Sequence, residues 1–225
     1  MLFPYSSTHL TQHLTDTLDS PTTQSIITAL LDQHQKDAMS HSPGGSVEIK
    51  YHSDGKVVID TVSEYARALI HADRKVPPLK QLQGNIWKKG YACGDLHAVV
   101  YEDVKPFLTR MRECGVSVCI YSSGSRGAQQ LLFKYTNEGD LRPYLNAYFD
   151  TTVGQKQSAS SYADILLTLG CTDTPSDVVF VTDVVGEANA ALEAGMRAVV
   201  SVREGNAPLP VGHGLPVITS FDQLQ

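Results

Sequence analysis

Val116-Ser117-Val118-Cys119-Ile120-Tyr121, followed at once by Ser122-Ser123-Gly124-Ser125, decides the fold. The run is short, β-rich and closed by a polar turn, the pattern of a buried strand rather than a helix. A second run, Val178-Val179-Phe180-Val181, has the same character and ends in Thr182-Asp183. Lys156 lies between the two. In a parallel α/β sheet, sites form at the C-terminal ends of the strands. A hydroxyl pair, a lysine and an aspartate presented to one rim would suit a phosphate and a divalent metal.

Outward from these two runs, strands and helices alternate. A helix over 103–113 should end at Gly115, and the first strand should span 116–121. A helix over 125–135 follows, then a short strand at Ala147-Tyr148-Phe149-Asp150-Thr151. A helix over 158–169 closes at Gly170, the strand 178–182 leads to a helix over 186–194, and Gly195 ends it. Strands at 197–202 and 216–219 complete the chain. Strands separated by helices of this length imply βαβ units with right-handed crossovers.

The first 95 residues have a different rhythm. Leu10, Leu14 and Leu18 form one helical stripe, and Ile26, Ile27, Leu30 and Leu31 form another, with Ser20 or Pro21 starting the second helix. A loop over 40–46, an apolar run Val47–Tyr51 and a turn at Asp54-Gly55 follow. Val58, Val62, Tyr65 and Leu69 share a helix face, Pro77-Pro78 breaks that helix, and 79–91 reads as another carrying Trp87. Two domains are expected: 1–95, a linker helix and helical cap over the sheet, and 96–225, a Rossmann-like core.

The 225 residues carry a formal charge of −6, with 42% hydrophobic and 19% charged residues. Neither that balance nor any basic tract argues for nucleic acid, and no apolar run approaches a membrane span. The N-terminus lacks the charged and apolar regions of a signal peptide. Cys93, Cys114, Cys119 and Cys171 form no CxxC pair. They read as buried free thiols, which favours a reducing compartment. The eight histidines are scattered. His9 and His13 stand four apart on a helix, but a solvated face explains them better than a metal pair.

Each residue singled out has a plainer reading beside the chemical one. Ser122-Ser123-Gly124-Ser125 offers hydroxyls and free N–H groups at a helix N-terminus, a ready anion site; serine is equally a preferred N-cap. Lys156 can neutralise phosphate as a point charge, though most lysines are simply solvated. Asp183, with Glu187 four residues on, suits Mg²⁺, which takes one or two carboxylates together with waters and phosphate oxygens. The alternative is a helix cap, with Glu187 favourable in the first turn.

Hydroxyl after strand, lysine, then aspartate after strand is the motif order of the haloacid dehalogenase-like hydrolases. The chain resembles their enolase-phosphatase family, also called acireductone synthase. The segments that carry the likeness are Ile120–Ser125, Gln129–Phe133, Phe149–Thr151, Gly154–Lys156, Phe180–Asp183, Arg203–Ala207 and Ile218–Phe221. Leu2–Tyr5 and Leu79–Trp87 match upstream. The resemblance implies an α/β fold, a haloacid dehalogenase-like Rossmannoid parallel sheet with a helical cap. It implies a Mg²⁺-dependent phosphoric monoester hydrolase of methionine salvage. That enzyme enolises 2,3-diketo-5-methylthiopentyl 1-phosphate and dephosphorylates it to acireductone. Ser122 and Ser123 would then bind substrate, Lys156 hold the phosphate and Asp183 hold the metal. Glu187 sits where the family also has a glutamate. A cytoplasmic monomer, also present in the nucleus, acting on a small phosphorylated substrate is expected, with no nucleic-acid or membrane partner.

The family's first strand, which ends in Asp-x-Glu-Gly-Thr and supplies the nucleophile, has no counterpart here. Met1-Leu2-Phe3-Pro4-Tyr5 corresponds to sequence that follows it, so the sheet is expected to lack its first, central strand. Neither Asp60, after Val57-Val58-Ile59, nor Asp54 in its turn makes a credible substitute. Two expectations follow: the family's phosphatase in truncated form, or a non-catalytic member that keeps anion binding or a partner surface. By the resemblance, covalent phosphoryl transfer would use an in-line aspartate beside the metal, so negligible turnover is expected of these 225 residues.

Overall fold

The structure, a computed structural model, describes residues 2–224, so Met1 and Gln225 lie outside the description. The chain divides into two compact units, Met1–His97 and Ala98–Gln225.

The first unit is built from four helices: α1 (Leu2–Asp16), α2 (Pro21–Met39), α3 (Ile59–His71) and α4 (Pro77–Ala92). Their apolar stripes meet in one cluster. Leu10 and Leu14 from α1, Ile26, Ile27 and Leu30 from α2, Val62, Tyr65 and Leu69 from α3, and Leu79, Leu82 and Ile86 from α4 are all buried. Ser20 stands at the N-cap of α2 but makes no side-chain cap bond, and Pro21 occupies the first turn, where its missing N–H is harmless. Pro77-Pro78, read from sequence as a break, begins α4 for the same reason. The apolar run Val47–Tyr51 forms no strand and makes a single antiparallel bridge, Tyr51 to Val57. A buried carboxylate holds the surrounding loop: Asp37 accepts from Tyr65 Oη at 2.6 Å, from Gln33 at 2.8 Å and from the Arg74 guanidinium. Arg74 also donates to the Pro43 carbonyl at 3.0 Å.

The second unit alternates as expected: α5 (Val104–Glu113), β1 (Cys119–Tyr121), α6 (Arg126–Lys134), β2 (Ala147–Phe149), α7 (Ala159–Leu169), β3 (Val179–Thr182), α8 (Val185–Glu193), β4 (Arg197–Ser201) and β5 (Val217–Ile218). The pairings between these strands are parallel. Ile120 lies opposite Tyr148 in β1–β2, Val181 opposite Val199 in β3–β4, and Val200 opposite Val217 in β4–β5. These form two separate ladders, β1-β2 and β3-β4-β5. Among the described residues, β1 and β3 each pair on one side only. Phe149, Tyr162, Ile165, Leu166, Met196 and Val200 anchor the apolar core.

Three expectations are corrected. The first strand starts at Cys119 rather than Val116. The Val116 N–H bonds to the Met111 carbonyl and so belongs to the end of α5, and the Val118 N–H goes to Asn146 Oδ1 at 3.0 Å. The strands are also less buried than their composition implies. All three residues of β1 are half-exposed, and of β3 only Thr182 is buried, Val179 being 39% exposed. A strand paired on one side leaves its other flank open. The thiols are free but not buried: Cys93 and Cys114 are exposed, and Cys119 and Cys171 are half-exposed. Cys114 sits at the C-cap of α5.

Candidate phosphate and metal site

The serine turn extends the β1–β2 ladder by one bond, from the Ser122 N–H to the Phe149 carbonyl at 3.1 Å. Ser122 Oγ accepts from the Gly124 N–H at 3.2 Å, closing the turn. Ser125 Oγ accepts from the Ala128 N–H at 3.3 Å, so Ser125 is the N-cap of α6. A second α6 donor, the Arg126 N–H, goes to Asp150 Oδ2 at 3.1 Å. Burial pushes the Asp150 carboxyl up. The Thr152 hydroxyl and the Thr152 and Arg126 N–H groups outweigh it and hold the group below the usual carboxylate range. Part of the turn is therefore committed to capping. Ser123 is exposed. Behind the turn, the buried Gln129 donates through Nε2 to the Gly124 and Phe149 carbonyls, both at 2.8 Å, tying the turn to β2.

Lys156 is held by its own loop. Gly154 takes φ +132°, a backbone region that side chains disfavour; a Cβ there would meet Ser161 Oγ at 2.1 Å. Tyr121 Oη donates to the Gly154 carbonyl at 3.0 Å, and Tyr162 Oη donates to the Lys156 carbonyl at 2.6 Å. The ammonium reaches Glu187 Oε2 at 2.6 Å and stands 5.8 Å from the Tyr121 ring centre. Burial first, then the Glu187 charge and Tyr121, push the Tyr162 phenol up.

Glu187 is the residue whose part the sequence left open. It is 8% exposed and also accepts from Thr182 Oγ1 at 2.7 Å. It therefore joins the end of β3 to the Lys156 loop. Lys156 in turn lies beside the end of β1.

Asp183 does not cap α8. Val184 is the N-cap residue, and its N–H is bound by Thr182 Oγ1 at 3.2 Å. The Asp183 carboxylate is exposed, and its Oδ2 accepts from Asn206 Nδ2 at 3.0 Å. Sequence reasoning singled out neither Asn206 nor Asp150. Asp150 follows a strand end and Asn206 lies in the loop after β4, both within segments that carry the family likeness, but their bonds to α6 and to Asp183 depend on packing.

No group of three or more metal-ligating side chains occurs among the described residues. Mg²⁺ commonly takes one or two carboxylates and completes its shell with water and phosphate oxygens. Asp183, exposed at a strand end with one oxygen hydrogen-bonded, fits as one such ligand. Glu187 does not, because its charge is matched by Lys156.

The fold class is that of the haloacid dehalogenase-like hydrolases. An L-2-haloacid dehalogenase structure superposes with a TM-score of 0.51 over 97% of this chain and 89% of its own, at 14% identity, a likeness of fold alone. The crystal structure of the UTR4 protein of Saccharomyces cerevisiae superposes with a TM-score of 0.77 at 33% identity, covering 100% of this chain and 91% of that one. A probable bifunctional methylthioribulose-1-phosphate dehydratase/enolase-phosphatase E1 of Arabidopsis thaliana is 45% identical over 225 residues, all of this chain and 44% of that protein. The chain belongs to the enolase-phosphatase family. It spans less than half the length of the curated relatives it matches. No protein-family model matches it.

Proposed function

We propose that the chain carries the phosphate- and metal-binding half of an enolase-phosphatase site. The substrate would be 2,3-diketo-5-methylthiopentyl 1-phosphate and the product acireductone, with the chain acting as a monomer. The observation that carries the reading is the Lys156–Glu187 pair at 2.6 Å, which fixes an ammonium beside the ends of β1 and β3. The Ser122 and Ser123 hydroxyls donate to phosphate oxygens, and Lys156 supplies a positive charge held in one place. Glu187 keeps that ammonium oriented and leaves its remaining protons for the phosphate. Asp183 holds Mg²⁺, which when bound neutralises charge developing on the phosphoryl oxygens.

Phosphoryl transfer needs a nucleophile in line with the leaving oxygen, and in the family this chain resembles that nucleophile is an aspartate. Of the other rim carboxylates, Glu187 is matched to Lys156 and Thr182, and Asp150 to Arg126 and Thr152. Neither is free to attack, so these 225 residues bind phosphate and metal without rapid turnover. The family name of the 45%-identical relative supports the substrate class.

The test is a phosphate titration followed by thermal melting, with and without Mg²⁺. Phosphate should raise the midpoint of the wild-type chain and leave Lys156→Met unmoved. An equal rise in both would refute the assignment of Lys156. Turnover of the diketo phosphate comparable to that of an intact family member would refute the claim that a nucleophile is lacking.

A further inference from the structure

The loop Arg203-Glu204-Gly205-Asn206 meets Asp183 through Asn206 and is itself held by several contacts within the second unit. Its turn is closed by the Asn206 N–H to the Arg203 carbonyl at 3.1 Å, with Gly205 at φ +87°. That is the third position of a type II turn, where glycine is preferred. The Arg203 guanidinium donates to Asp103 Oδ2 at 2.5 Å and lies between two rings, 4.8 Å from Tyr101 and 5.0 Å from Phe221. Tyr101 Oη donates to the Glu204 carbonyl at 3.2 Å. Asp103 also accepts from the Phe221 N–H at 2.6 Å and from Ser220 Oγ at 3.1 Å. The loop is thus anchored both to the start of α5 and to the chain's last turn.

The anchored loop presents a single amide. Asn206 Oδ1 accepts from the Arg203 N–H at 2.6 Å. A backbone N–H can face only the oxygen of that amide, so its orientation is fixed. The NH₂ group must then point the other way, and it donates to Asp183 Oδ2 at 3.0 Å. We infer that Asn206 is a positioning residue for the metal. It holds one Asp183 oxygen in a fixed hydrogen bond so that the other is offered as a single ligand, and the Asp103–Arg203 clamp keeps it there.

This inference rests on the reading of Asp183 as a metal ligand. A carboxylate on an exposed strand end would otherwise rotate freely, and ordering it on binding opposes affinity. Partners behind a metal ligand commonly contribute 10–100-fold in affinity. The probe is Mn²⁺ alone, titrated into the full 225-residue chain and followed by water-proton relaxation, with Mg²⁺ competition. Asn206→Ala should raise the Mn²⁺ Kd about 10-fold, and Asp103→Asn should raise it by a smaller factor in the same direction. A merely structural role would lower the melting midpoint and leave the Kd alone, and that pattern overturns the inference. If Asp183→Asn leaves Mn²⁺ binding unchanged, the metal reading of Asp183 fails and this inference falls with it.

A measurement on the wild-type chain needs no variant to fold. The side-chain NH₂ signals of Asn206 should broaden at lower Mn²⁺ than those of Asn137 and Asn146, which bond elsewhere in the unit. Equal broadening of all three overturns it.

Discussion

Replacing Lys156 by methionine keeps most of the side chain's volume and removes its charge. The ammonium is 24% exposed at the side chain and Glu187 10% exposed, with 2.6 Å between the charged atoms. Without Lys156, Glu187 keeps, among the described residues, the Thr182 hydroxyl at 2.7 Å. Breaking a fully buried pair by removing one partner is destabilising by about 3–5 kcal/mol, while a fully solvated pair contributes about 0–1 kcal/mol. This pair lies between those limits, nearer the buried one on the Glu187 side, so the expected loss is about 2 kcal/mol. In a chain of this size that corresponds to roughly 4–8 °C in Tm. Glu187→Gln should lose less, because an amide can still accept from Thr182. Combining Lys156→Met with Glu187→Gln should recover more than half of the lysine variant's loss, since no unmatched charge remains. Urea melts of the four proteins give the coupling as a double-mutant cycle. Single losses below about 0.5 kcal/mol that simply add would show the pair to be a solvated contact and would remove the reason for a fixed ammonium at this rim.

Other outcomes follow from the same geometry. Gly154→Ala places a methyl against Ser161 Oγ at a positive φ; it should destabilise by about 2–3 kcal/mol. Adding Ser161→Ala should relieve only the steric part in the same melts, and full recovery would mean the backbone angle carries no strain. Burial pushes the Asp103 carboxyl up, but Arg203, the Phe221 N–H and Ser220 outweigh it and hold it below the usual range. A depressed carboxyl stabilises the fold above its unfolded value of about 4 and loses that contribution as pH falls through the lower folded value. Asp103→Asn should therefore be less stable at pH 6 and show a shallower acid slope; an unchanged slope would contradict this. The open flanks of β1 and β3 template further pairing. The chain should be prone to aggregate on warming, and a covalently joined apolar strand that pairs with these flanks should raise the melting midpoint. Three or four side chains buried by such a strand contribute roughly 1.5–3 kcal/mol each, comparable to a typical domain's ~5–15 kcal/mol. A sharp, reversible transition unmoved by that strand would show that the flanks need no partner.

Much of this was legible in the order of residues, because local structure repeats at fixed short intervals. Leu10 and Leu14, or Val62, Tyr65 and Leu69, announce a helix face by their spacing, and that face is buried. Val179–Thr182 announces a strand by composition, and Ser125 announces a cap and is one. The polar ends of β1 and β3 could be read as a rim from the alternation alone. What spacing could not supply is the set of partners met across the fold. Lys156 and Glu187 are 31 positions apart and meet at 2.6 Å; Asn206 reaches Asp183 across 23 positions, and Arg203 reaches Asp103 across 100. Such pairs have no period, because they depend on how strands pair and which loops close over their ends. The same limit hid the exposure of β1 and β3. Composition reports what a strand prefers to bury, but whether both flanks are covered is decided by its neighbours in the sheet.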